Sequence, residues 1–193
     1  MIVDWGGFGQ FIASALGGAT ILGASKFWYD YRREQTLRSE RQRFLAVQIV
    51  YQLEDYAMVC VDALTTHDLW EGSGGNAGSM ISGVPDLPDR PPSDHYSLLD
   101  LQLVERLYTL PQQVRAAKGY VSFDYEVNAD PEPDGEVAED KTYLMADLAA
   151  KLARDFRLRY GMTKQRLGFG SWDVMAYIAK GARHAEDKRS SRE

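Results

Sequence analysis

The chain has 193 residues, 45% of them hydrophobic and 26% charged, which is globular rather than disordered usage and suits one domain with a real core. Its net charge of -6 disfavours a nucleic-acid binder, because phosphate recognition needs clustered Lys and Arg. The single cysteine, Cys60, excludes an internal disulfide, so nothing marks the folded part as secreted. The charge is unevenly spread: 16 acidic against 5 basic residues over 61–143, then 11 basic against 6 acidic over 144–193. Solvated faces of opposite sign explain this without a named partner.

Between Asp4 and Lys26 lie 21 residues without a formal charge. A helix needs about 20 residues to cross a bilayer core. Trp5 and Phe8 stand at one end of the run, and Phe27, Trp28, Tyr29 and Tyr31 crowd the other, where amphipathic rings favour the headgroup layer. Lys26, Arg32, Arg33, Arg38, Arg41 and Arg43 follow, opposed only by Asp30, Glu34 and Glu40. The predicted membrane-interface set is Trp5, Lys26, Trp28, Tyr29, Tyr31, Arg32 and Arg33. The run also holds six glycines, and its most apolar part, 11–24, spans only 14 residues. Such a length also fits a buried helix or a signal-peptide core. A cleaved signal is not expected, because Asp4 stands where a positive region would be.

Small residues recur four apart in this run. Gly9, Ala13 and Gly17 form one stripe; Ala15, Ala19 and Gly23 form another. Stripes of this kind let two helix backbones approach in lipid, so Ala13, Gly17, Ala15, Ala19 and Gly23 are the residues expected to mediate self-association. The flanking cations all lie C-terminal to the run. They place the N-terminus outside and the rest of the chain in the cytoplasm of a bacterial-type cell.

Residues 24–71 contain no glycine and no proline. Within them Ala46, Val50, Leu53, Ala57, Cys60 and Leu64 repeat at spacings of 4, 3, 4, 3, 4, a heptad seam of the coiled-coil type. Gln48, Asp55 and Asp62 lie opposite, while Val47, Ile49 and Val61 widen the apolar face into that of a bundle helix. Cys60 sits on the seam as a packed small hydrophobe. Residues 72–93 are rich in glycine and proline and read as a linker. They hold no lysine, so a phosphate loop is dismissed.

A second helix is predicted over about 97–127, with Leu103, Leu107, Leu110, Val114, Ala117 and Val121 in the same rhythm. Pro111 predicts a kink or a restart there. Alternation over 120–127 also fits a short strand. Residues 128–140 are acidic, with Pro131, Pro133 and Gly135, and read as an exposed loop entering a helix start. The third helix spans about 136–160 with Leu144, Leu148, Leu152 and Phe156 on its core face, and Gly161 stops it. A last helix begins near Ser171 as N-cap and carries Trp172, Met175 and Ile178. Residues 185–193 are expected to fray into a flexible tail.

No residue set for chemistry emerges from this pattern. The histidines are His67, His95 and His184, without the close pairs a zinc site needs. The His67-Asp68 and Asp94-His95 doublets resemble fragments of a metal-dependent phosphohydrolase set, but surface positions at helix ends explain them more simply. Arg90 and His95, with four residues between them, resemble the Arg-to-His motif of the helical HEPN ribonucleases. That resemblance implies two side chains meeting RNA at a dimer groove, although Pro91 and Pro92 stand where that motif has a helix start. Gly168-Phe169-Gly170-Ser171, after Lys164 and Arg166, reads as a loop and cap. Its Asp173 would repel an anion at the helix start.

The expected protein is therefore all-α. A 1–30 membrane anchor continues into the long helix of a cytoplasmic antiparallel helical bundle, 31–184, with loops at 72–93 and 128–140. The expected role is a single-pass, membrane-tethered scaffold or interaction module of the inner membrane, without catalytic residues, metal or cofactor. Its expected partners are anionic headgroups, a second copy through the span and a protein the sequence does not identify. The alternatives are a ribonuclease-like or metal-dependent hydrolase through Arg90 and His95 or His67, and a soluble oligomeric or phage-type subunit.

Overall fold

The computed structural model describes residues 6–89, 96–127, 135–163, 168–169 and 172–192, with side chains described over 28–89, 96–127, 135–163 and 172–191. Among the described residues there are four helices: α1 (Gly6–Gly72), α2 (Leu101–Val127), α3 (Glu136–Arg159) and α4 (Val174–Arg192). A 3-10 turn at Tyr96–Leu98 precedes α2, and the two-residue strands Gly168–Phe169 and Trp172–Asp173 pair antiparallel before α4. The protein is all-helical, and α1 is long and apolar enough to cross a membrane by length and composition.

Packing divides the chain into 1–43 and 44–193. In the first unit the described side chains, Trp28 to Arg43, are all exposed apart from half-buried Gln42. The second unit holds one contiguous core. All six seam residues of α1 are buried, and so are Ile49 and Val61, while Gln48, Asp55 and Asp62 face solvent. The stripe of α2 is buried in full, from Leu103 to Val121. Pro111 lies within one continuous helix rather than at a break. It lacks an N–H to give to the preceding turn, and the buried Leu110 and Val114 beside it hold the helix together through packing.

The helix starts differ from expectation for a local reason. Asp100 caps α2 by accepting a hydrogen bond from Gln102 N–H at 3.1 Å, so the predicted start near residue 97 becomes a separate 3-10 turn. Asp173 caps α4 by accepting from Ala176 N–H at 3.1 Å. The helix therefore begins at Val174, and Trp172 lies in a strand, 43% exposed. Ser171 lies outside the described residues. Helix α4 runs on through the stretch expected to fray, and Ala185 within it is buried. Gly161, at φ +61°, ends α3 as expected.

Helix α3 departs most from its predicted face. Leu144 and Leu148 are only half-buried, and the core side is instead Tyr143, Ala146, Ala149, Ala150, Ala153 and Phe156, with Leu152. Small side chains let the helices approach closely. A Cβ added to Gly181 of α4 would lie 2.2 Å from the Tyr143 ring. Ion pairs fix the directions. Arg106–Asp155 at 2.6 Å and Arg159–Asp100 at 2.9 Å join the start of α2 to the end of α3. Lys188–Glu136 at 3.0 Å joins the end of α4 to the start of α3. Arg157 grips Glu54 of α1 through two nitrogens, at 2.6 and 2.8 Å, and also donates to the Thr163 carbonyl. Arg157 and Glu54 are only 14% and 9% exposed, so removing either partner strands a nearly buried charge.

Two glycine substitutions test this packing in opposite directions. Gly181→Ala should lower unfolding stability by about 1–3 kcal/mol, because the Tyr143 ring has to move. Gly119→Ala meets nothing within 4 Å on an exposed turn of α2 and should raise stability by about 0.5–1 kcal/mol. Urea denaturation of both variants measures the contrast.

Candidate functional site

Two regions carry side chains beyond what packing requires. The first is the segment after the uncharged run. Trp28, Tyr29 and Tyr31 are 56%, 66% and 53% exposed, which is unusual for rings this large on a helix. Arg32 lies over the Trp28 ring at 3.8 Å, one helical turn on. Arg33 is exposed beside it. Trp28, Tyr29, Tyr31, Arg32 and Arg33 thus stand exposed in one short stretch of α1. Trp5 lies outside the described residues. Lys26, Ala13, Ala15, Gly17, Ala19 and Gly23 lie in α1, but their side chains are outside the description.

The second region is the C-terminal end of α1. His67 is not the surface histidine the sequence suggested: it is fully buried. The seam rhythm explains why, since the next step of three after Leu64 lands on residue 67. Trp70 stacks against its ring, with centroids 5.8 Å apart. Its Nδ1 accepts a hydrogen bond from Ile81 N–H at 3.4 Å. An acceptor at Nδ1 leaves Nε2 as the ring's N–H. That atom has no hydrogen-bond partner and lies 3.6 Å from Glu71 Oε1, beyond hydrogen-bonding range.

The chain folds back over this ring. After α1, Gly74, Gly75 and Gly78 take left-handed φ of +62°, +84° and +75°. Gly78 lies so near the helix backbone that a Cβ would come 2.3 Å from the Thr66 carbonyl oxygen. The segment that follows is more than a linker: Ile81 and Val84 are buried in the core. Gly135, at φ +78°, also lies close to the ring: an added Cβ would be 3.1 Å from His67 Cε1.

Acidic and phenolic groups surround this end. Glu139 of α3 is held above the usual carboxylate range, first by burial and also by the charges of Glu71 and Asp140, with His67 and Lys188 acting the other way. Tyr177 donates to Asp68 Oδ2 at 2.7 Å and is hydrogen-bonded to Tyr143, linking α1, α3 and α4. Burial pushes the Tyr143 phenol up to about 12 and the Tyr177 phenol higher still. Both phenols stay protonated, as structural hydrogen-bonding groups.

The remaining candidates carry less. Among the described residues no group of three or more His, Cys, Asp or Glu is placed to hold a metal ion. Burial pushes the Cys60 thiol up to about 12, which leaves little nucleophilic thiolate. Arg90, His95, Lys164 and Arg166 lie outside the described residues, and His184 is exposed on α4. Comparison with family models, with curated proteins and with solved structures finds no match to this chain.

The Glu139 environment predicts a pH dependence. Its ordinary value is 4.5 and the fold raises it, so the folded state holds this proton more tightly than the unfolded chain does. The stabilisation is complete below the unfolded value and is lost as pH rises through the higher folded value. Glu139→Gln removes this half-buried charge, so the variant should gain stability over the wild type as pH rises from about 4 to neutral. Thermal melts across that range check this; parallel curves for the two proteins contradict it.

Proposed function

We propose that the protein is a single-pass, membrane-tethered helical scaffold whose 5–25 segment crosses the bilayer and whose later helices form a cytoplasmic antiparallel bundle for protein interaction. The observation that carries this reading is the order of features along α1: an uncharged run inside the helix, an exposed aromatic band with its cations, then a seam committed to a protein core. The apolar stretch detected within Trp28–Gly72 is 56% buried by the rest of the chain. A segment cannot face lipid and a protein core at once. We therefore assign the crossing to the upstream run, where glycine is tolerated because a membrane helix has no water competing for its backbone.

The exposed Trp28, Tyr29 and Tyr31 suit the headgroup layer, and Arg32 and Arg33 suit anionic headgroups on the cytoplasmic side. The small-residue stripes through Ala13 and Gly17, and through Ala15, Ala19 and Gly23, support a homodimer within the span.

Three measurements test this reading. The full-length protein should resist carbonate extraction, and deleting residues 1–25 should release it; full-length protein soluble without detergent overturns the tether. A reporter fused after Glu193 should be active only as a cytoplasmic reporter, and periplasmic activity overturns the orientation. Gly17→Ile should abolish any detergent-resistant dimer while leaving the helical content unchanged.

A further inference from the structure

From the packing around His67 we infer that the protein contains an acid-triggered latch, in which protonation of the His67 ring releases the Ile81 backbone from the end of α1. The inference is independent of the membrane reading. It rests on four observations at one ring: full burial, an acceptor role for Nδ1, an unpartnered Nε2, and close neighbours in Trp70 and Gly135.

Histidine as a residue type changes charge between about pH 5 and 8. Here the second proton has one place to go. The neutral ring uses Nδ1 to accept from Ile81 N–H, and an imidazolium has two donors and no acceptor. Adding the proton sets N–H against N–H at a distance of 3.4 Å. The ring cannot turn away easily. Trp70 stacks on it, and the Gly135 backbone lies so near that even a methyl group would crowd Cε1. The 79–84 segment is the part able to give. Ile81 is otherwise tied by its carbonyl, which accepts from Tyr125 of α2 at 3.4 Å.

Carboxylates from two helices face the ring. Glu71 of α1 stands 3.6 Å from Nε2. Glu139 of α3 acts on the ring across the core edge, and Lys188 of α4 and Asp140 act in turn on Glu139. Residues 79–84 carry no charge of their own. An imidazolium here therefore gains Glu71, and Glu139 where ionised, as counter-charges at the moment Nδ1 loses its bond to Ile81. In the latch the protonated ring keeps these counter-charges and the 79–84 segment detaches. Release frees the segment that seats Ile81 and Val84 over the core.

The test uses the full chain in detergent micelles and nuclear magnetic resonance. The His67 ring is titrated from about pH 8 to about pH 5, and the protection factor of the Ile81 amide is followed over the same range. Protection should fall about tenfold, the weight of one lost hydrogen bond, with a midpoint matching that of the ring. His67→Gln, whose side-chain carbonyl can still accept from Ile81 N–H, should keep protection constant. Glu71→Gln should move both midpoints together to lower pH by removing a counter-charge, and it serves alone if His67→Gln does not fold. Constant Ile81 protection while the ring titrates, a ring that stays neutral throughout, or an undiminished fall in a folded His67→Gln protein would each overturn the latch.

Discussion

The structure depends on one seam. Ala46, Val50, Leu53, Ala57, Cys60 and Leu64 present a continuous apolar stripe along α1, and every one of them is buried. Burying a stripe of this kind is the dominant favourable term available to a chain without disulfides. The stripes of α2, α3 and α4 join it in one core, and the Glu54–Arg157 pair pins α3 beside it. With the seam covered inside the chain, α1 has no need of a partner over these residues. What remains unexplained by packing is the uncharged run upstream and the aromatic band that follows it. The proposed tether accounts for both.

Much of this was legible from periodicity. The α1 seam and the α2 stripe could be read because they consist of large aliphatic residues at regular 4, 3 spacing, and burial follows that spacing residue by residue. Helix α3 was legible as a helix but not as a face. Its core side is mostly alanine, which carries little hydrophobic signal yet permits the close approach at Gly181 and Tyr143. The conspicuous leucines, Leu144 and Leu148, sit on the flank instead. Two helix starts lie a few residues beyond their expected positions because an aspartate caps each one, at Asp100 and Asp173.

The buried centre at the end of α1 was hidden for a different reason. His67 is polar and stands beside Asp68, so composition argues for the surface, whereas the seam rhythm extended by one step argues for the core. Packing decides for the rhythm. The glycine-rich stretch after it looked like a flexible connector, yet its left-handed glycines turn the chain back onto α1 and seat Ile81 and Val84. A turn that reverses direction against a helix needs glycine as much as a mobile linker does. Local composition cannot separate the two. Trp28, Tyr29, Tyr31 and Arg32, which the sequence marks as a pattern of ring and charge, are exposed, and the proposed tether gives them their place.

The central claim is that the seam is satisfied within one chain while the tether lies upstream of it. The most direct measurement is the sedimentation behaviour of the chain from about Arg32 onward, prepared without detergent, alone and with Leu53→Asp. The account predicts a folded monomer that melts cooperatively. Leu53→Asp should unfold it, because an unpaired charge in the seam costs several kcal/mol. A stable dimer that Leu53→Asp converts into a folded monomer would contradict the account, since the seam would then be a surface shared between two copies.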